Sequence, residues 1–213
     1  MKAEAKFISF EGIDGCGKST VLSHFASWLE EAGIPYIKTR EPGGTTLGEN
    51  IRHLLLDPSY QDMDELAEVL LYTASRAQLV REVVLPNLQK GTWVLVDRFI
   101  DATLAYQGYG RRLDLTMLRR IQEWAGRGIW PHHTVLLDCD VHIGLQRMHG
   151  RFGTPDRIEQ QKLSFHRRVR AGYLDLARLE PRRIVVVDSS QAVEKVLEDL
   201  RKSLWQSLLK SIS

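Results

Sequence analysis

Five short apolar runs punctuate the chain, at residues 6–11, 36–40, 93–97, 134–138 and 183–188. Three of them are continuously apolar at their centres: Val94-Leu95-Val96, Val135-Leu136-Leu137 and Ile184-Val185-Val186-Val187. Strands of a parallel sheet that are buried on both faces read this way. The stretches between the runs are longer and carry helical periodicity. One of them, residues 20–32, is amphipathic. Each is long enough for a right-handed crossover. The pattern predicts an α/β fold, a five-stranded parallel sheet with helices on both faces. No repeat, low-complexity tract or Pro/Gly/Ser linker divides the chain, so residues 1–213 read as one domain. The apolar face at 66–71 is expected to belong to the core. Residues 203–213 read as either a longer last helix or a frayed tail.

Three of the runs end in aspartate, at Asp97, Asp138 and Asp188. Ligands of such sheets bind at the carboxyl ends of the strands, which makes each a candidate site residue. Asp138 and Asp188 equally suit the cap of a following helix.

Composition changes this picture little. Hydrophobic residues make up 43% and charged residues 26% of the 213, ordinary for a globular protein. The net charge of +2, from 29 basic and 27 acidic residues, gives no reason to expect nucleic-acid binding. Paired arginines such as Arg111-Arg112 and Arg182-Arg183 read as solvated faces. Cys16 and Cys139 are far apart and form no metal-ligand spacing. A disulfide framework is not expected, which fits a reducing cytoplasm. The first six residues have no apolar signal core, and no stretch approaches a membrane span. A cytoplasmic protein without membrane association is the expectation.

The chemistry is concentrated just after the first run. Gly12-Ile13-Asp14-Gly15-Cys16-Gly17-Lys18-Ser19 fits the phosphate-loop pattern, and Thr20 opens the helical stretch behind it. In such a loop backbone N–H groups wrap the phosphates of a nucleotide. Lys18 reaches the β- and γ-phosphates, and the Ser19 hydroxyl ligates Mg²⁺. The following helix points its N-terminus at the anion.

The loop alone does not separate a switch from a transferase. Asp97 suits the second half of the Mg²⁺ site, and Arg98 beside it suits a second phosphate group. Arg40-Glu41-Pro42-Gly43-Gly44-Thr45 follows the second strand and projects at the same sheet edge. Thr103-Leu104-Ala105-Tyr106-Gln107-Gly108 offers a hydroxyl, a phenol and an amide suited to a sugar and a base. Tyr72 and Arg76, four residues apart, share one helix face, where a ring and a guanidinium could take a base; the bland reading of that pair is core plus rim. Residues 147–157 interrupt a helical pattern with Gly150, Gly153 and Pro155 and hold Arg147, Arg151 and Arg157. They read as a mobile basic flap. Two polyphosphates repel strongly in a low dielectric, so Mg²⁺, Lys18 and several arginines are what transfer between them requires. An ionised acceptor phosphate needs no general base.

With these segments together, the chain resembles the thymidylate kinase family, in its bacterial form, over almost its whole length. The carrying segments are Phe10 to Thr20, Arg40 to Thr45, Asp97-Arg98-Phe99, Ala105-Tyr106-Gln107-Gly108 and Asp156-Arg157-Ile158-Glu159. The resemblance implies a P-loop nucleoside monophosphate kinase fold and transfer of the ATP γ-phosphate to dTMP. It implies that Asp14 binds the dTMP 3′-hydroxyl and Arg98 its 5′-phosphate. Tyr72 would stack on thymine and Arg76 would bond the base edge. Thr103 and Gln107 would complete the pocket, with Tyr106 crowding the sugar 2′ position. Gln191 falls where relatives contact adenine. The phosphate loop lacks an arginine of its own, so Arg151, supported by Arg147 and Arg157, would supply transition-state charge. Ala102 stands where relatives often have Ser. A homodimer is also implied. The competing readings are another nucleoside monophosphate or deoxynucleoside kinase and a P-loop regulatory ATPase.

Overall fold

The structure, a computed structural model, describes residues 5–149 and 155–210. Its centre is the expected five-stranded sheet, all parallel, in the order β2-β3-β1-β4-β5. The strands are β1 (Phe7–Glu11), β2 (Tyr36–Arg40), β3 (Trp93–Asp97), β4 (His133–Asp138) and β5 (Ile184–Asp188). Each boundary lies within one residue of the run that predicted it. The three central strands β3, β1 and β4 are buried almost throughout. The apolar run of β5 is not buried on both faces as expected: Val186 is 45% exposed. Its strand is a sheet edge, paired to β4 alone, and helix cover does not extend over that position.

The helices are α1 (Lys18–Glu31), α2 (Thr46–Leu56), α3 (Glu65–Leu79), α4 (Leu85–Gln89), α5 (Ile100–Thr103), α6 (Leu115–Ala125), α7 (Val141–His149), α8 (Leu163–Leu179), α9 (Val193–Leu200) and α10 (Gln206–Lys210). Wider π-type turns join α3 to α4, α5 to the loop before α6, and α9 to α10. Local chemistry sets several starts. Thr45 Oγ1 accepts from the Gly48 amide at the head of α2, and Asp64 Oδ1 accepts from Leu66 and Ala67 at the head of α3. On α1, Phe25 packs edge-on against Phe10 of β1 and against Trp205 from the C-terminal segment. The described part of that segment is therefore helical and anchored, with Trp205 and Leu208 in the core. It is the longer last helix and not a frayed tail as far as Lys210.

The face at 66–71 departs from expectation. Val69 is buried, but Leu66 and Leu70 are 49% and 53% exposed. Val69 and Leu70, one residue apart, point to different sides of α3, and Leu66, four residues before Leu70, shares the exposed side. No described helix is long and apolar enough to cross a membrane.

Candidate active site

β1 delivers the chain into the phosphate loop at the carboxyl edge of the sheet. Gly12 has φ 136°, and a Cβ there would lie 2.4 Å from the Leu137 carbonyl oxygen. Gly15 has φ 76°, with its Cβ position 2.1 Å from the Gly144 carbonyl oxygen. Only glycine fits either place. The loop then enters α1, whose first-turn amides have no carbonyl within the helix to bond and form an anion site. Lys18 is folded inside the loop, its Nζ donating to the carbonyls of Gly12 at 3.2 Å and Ile13 at 3.0 Å.

Three cavities meet around this loop. In the first, of about 210 Å³, Lys18 and Ser19 face Asp97 and Arg98 from the end of β3. A hydroxyl and a carboxylate in one polar cleft are hard oxygen donors, the set that suits Mg²⁺. In the second, of about 250 Å³, Gly15, Gly17 and Thr20 face Arg147, Ser189 and Gln191. Arg147 donates to the Ser189 carbonyl at 2.9 Å. Of the three strand-end aspartates, Asp97 is the one that lines these cavities. Asp138 is held bidentately by Arg170, at 2.7 and 2.9 Å, and Asp188 accepts from the Ser190 amide at 2.9 Å.

The third cavity, of about 80 Å³, lies between α2, α3 and the segment after β3. Tyr72, Arg76, Thr103, Tyr106 and Gln107 line it together with Asp14 and Arg98. The structure thus brings to one place all seven residues assigned to the acceptor by resemblance. Tyr72 and Arg76 both face it, but Arg76 is also deeply buried. The Glu41 carboxylate accepts from Arg76 Nε at 2.9 Å and from its Nη2, while Gln122 Oε1 accepts from Nη1. Nη2 also donates to the Phe99 carbonyl at 3.1 Å and Thr103 Oγ1 at 2.9 Å. Of the guanidinium's five N–H groups, this leaves one Nη1–H for a ligand. Burial pushes the Glu41 carboxyl up even against the pull of Arg76.

Arg98 joins the third cavity to the first and has the left-handed φ of 69°. Its Nη1 donates to the Gly12 carbonyl at 3.1 Å and its Nη2 to Asp14 Oδ1 at 2.5 Å. The guanidinium carbon sits 5.0 Å from the centre of the Tyr106 ring, and Tyr106 donates to Asp14 Oδ2 at 3.0 Å. Burial alone would raise the Asp14 carboxyl; Arg98 and Lys18 override it and hold it well below the usual carboxylate range. Burial pushes the Tyr72 and Tyr106 phenols up, so both stay protonated.

Arg157 is not brought to the phosphate cleft. Its guanidinium is buried, Nε donating to the Leu55 carbonyl at 2.8 Å and Nη2 to Glu68 Oε2 at 2.6 Å. A buried carboxylate must be paired, and Glu68 takes Arg157, Arg111 and the Gln107 amide as its partners. Arg147 lines the second cavity, and Arg151 lies outside the described residues.

Sequence reasoning missed the supporting partners. Glu41 stood in a quoted segment without a role, and Glu68 and Gln122 were not singled out. Glu68 had a readable signal, since Glu68, Tyr72 and Arg76 recur every four residues on one helix face. Arg52, which lines the first and third cavities and donates to the Pro42 carbonyl at 3.1 Å, had none.

A glycine loop at a helix N-terminus, opposite a serine–aspartate pair and beside an arginine-lined second cavity, marks the class of P-loop phosphotransferases. Residues 10–200 match the family model described as thymidylate kinase. The chain is 50% identical to the thymidylate kinase of Carboxydothermus hydrogenoformans, over 92% of this chain and 95% of that one. It is 48% identical to that of Deinococcus radiodurans, over 97% of both. A crystal structure of thymidylate kinase from Ehrlichia chaffeensis superposes with a TM-score of 0.75 at 33% identity, covering 94% of this chain and 98% of the other. The chain belongs to the thymidylate kinase family.

Proposed function

We propose that this chain transfers the γ-phosphate of ATP to dTMP, giving dTDP and ADP. The observation that carries the reading is Arg98, whose guanidinium is shared between the phosphate cleft and the cavity beneath Tyr72 and Arg76. A monophosphate whose base enters that cavity directs its phosphate toward Lys18, where transfer occurs. The phosphate loop and Lys18 hold the donor phosphates, with Gln191 and Thr20 on the adenosine side. Ser19 and Asp97 would hold Mg²⁺, which when bound offsets phosphate charge. Asp14 takes the acceptor sugar hydroxyl, Tyr72 stacks on the base, and the free Nη1–H of Arg76 bonds a base carbonyl. Gln107 and Thr103, held by Glu68 and Arg76, close the wall. Arg151 supplies flap charge to the transition state, with Arg147 on the donor side; Arg157 holds Glu68 in place.

The exposed Leu66 and Leu70 on α3, with Leu47 and Leu54 on α2, support a homodimer through this face. A cytoplasmic location agrees with two free, buried cysteines.

A coupled ADP-release assay with Mg-ATP across dTMP, dUMP, AMP and GMP tests the activity. We expect dTMP to be the best acceptor and dUMP a weaker one, because a methyl in an apolar pocket is worth about 1–3 kcal/mol. Faster turnover of AMP or GMP would reject the reading. ADP release independent of any monophosphate would favour the regulatory ATPase instead.

A further inference from the structure

We propose that Glu11 is a positioning residue that fixes the direction of Arg98 and through it the acceptor phosphate site. The inference rests on the acceptor role given to Arg98 above.

Glu11 ends β1, one residue before the phosphate loop, and its side chain is fully buried. None of the ligand contacts proposed above uses it. Its carboxylate nonetheless collects three donors from three parts of the fold. Oε1 accepts from Ser9 Oγ at 2.7 Å and from the Phe99 amide at 2.6 Å, and Oε2 accepts from Tyr173 of α8 at 2.8 Å.

The bond to the Phe99 amide is the informative one. Up to Arg98 the end of β3 follows the parallel ladder, for the Arg98 amide donates to the Phe10 carbonyl at 3.0 Å. At Arg98 the backbone leaves that ladder through the left-handed region, φ 69°. A residue with a Cβ occupies that region at a free-energy cost, so surrounding contacts must hold it there. Odd-numbered residues of β3 face β2, as Trp93 and Asp97 do, so a continued strand would aim the Phe99 amide at β2. The turn aims it at Glu11 instead, while the Gly12 carbonyl accepts from the Arg98 guanidinium at 3.1 Å. The displaced amide would be a buried, unpaired donor, and Glu11 takes it. The carboxylate thus stabilises the turn that sends the Arg98 side chain back across β1 toward Gly12 and Asp14. Tyr173 adds a second restraint, since its ring also packs against Tyr106, the ring under the Arg98 guanidinium.

Glu11→Ala, Glu11→Asp, Glu11→Gln and Arg98→Ala separate this role from simple structural support. Each is assayed for kcat and for the KM of dTMP and of ATP, with folding checked by circular dichroism. Glu11→Ala loses the acceptor of the Phe99 amide, and we expect kcat/KM for dTMP to fall about 30- to 100-fold with KM for ATP unchanged within twofold. Glu11→Gln keeps an oxygen at Oε1 and should stay within about threefold of the native chain. If Glu11→Ala does not fold, Glu11→Asp carries the test, because its shorter side chain draws the carboxylate away from the amide; a tenfold or greater loss specific to dTMP is expected. Folded Ala or Asp variants with native dTMP kinetics, or with equal losses toward dTMP and ATP, would overturn the inference. An equal loss in Glu11→Gln and Glu11→Ala would overturn it too. If Arg98→Ala leaves dTMP kinetics intact, the acceptor role of Arg98 fails and this inference with it. If Arg98→Ala is impaired and the Glu11 variants are not, this inference alone fails.

Discussion

The two nucleotide sites proposed for this enzyme are built in opposite ways. The donor side is mostly backbone: glycines with positive φ, first-turn amides of α1, and a wide cavity of about 250 Å³ lined by few charged side chains. The acceptor side is mostly side chain, a cavity of about 80 Å³ walled by Arg76, Arg98, Asp14 and Gln107, each locked by a partner. A backbone site binds what all polyphosphates share. A site of locked side chains presents a fixed set of donors and rejects ligands that leave them unpaired. The contrast therefore assigns affinity for phosphate to one half and choice of acceptor to the other.

Substitutions can break that contrast. On the donor side mutation cannot reach the backbone, so the effect should concentrate in Lys18. Lys18→Ala is expected to lower kcat about 10³-fold with the melting temperature nearly unchanged, read by steady-state kinetics and thermal denaturation. On the acceptor side stability and activity should fall together. Glu41→Ala strands the buried Arg76 guanidinium and should cost about 3 kcal/mol in urea unfolding, with KM for dTMP raised. A stable Glu41→Ala protein with native KM would show that the acceptor wall is not held by charge pairing.

The pH dependence sharpens the point more finely. Burial, with Asp101 adding to it, holds the Glu11 carboxyl up to about 7 from an ordinary 4.5, against the opposing influence of Ser9, Arg98 and Tyr173. Between those values the folded chain binds more protons than the unfolded one, so this group lowers stability as pH rises. Glu11→Gln should lack that slope, and the stability difference between native and variant should shift in the variant's favour from pH 4.5 to 7. Parallel curves from urea unfolding would count against it. The smallest effect is expected at Cys16, which is buried in the loop and offers only a weak contact to Lys18 Nζ at 3.8 Å. Cys16→Ala should keep turnover within about threefold and cost about 1 kcal/mol of stability.

What was legible follows the same divide. The donor loop is one contiguous segment, so its glycines, lysine and serine could be read in order. Tyr72 and Arg76 were legible as a helix face, because their spacing is local. Their supports were not: Glu41 lies 35 residues from Arg76, and Gln122 lies 46. Arg157 was placed in the flap by proximity in sequence, but folding delivers it to Glu68, 89 residues away. The exposure of Leu66, Leu70 and Val186 was likewise unreadable, since an apolar residue carries no mark of whether another element will cover it.

The sequence by itself determined the α/β architecture, the order of strands along the chain, and the phosphate loop, because hydrophobic period and glycine spacing act over a few residues. Only the tertiary structure decided which charges meet. Burying a guanidinium or a carboxylate is unfavourable until a partner arrives, and the partner arrives through the packing of distant strands and helices. The acceptor cavity, the left-handed turn at Arg98 and the buried role of Glu11 all depend on that step.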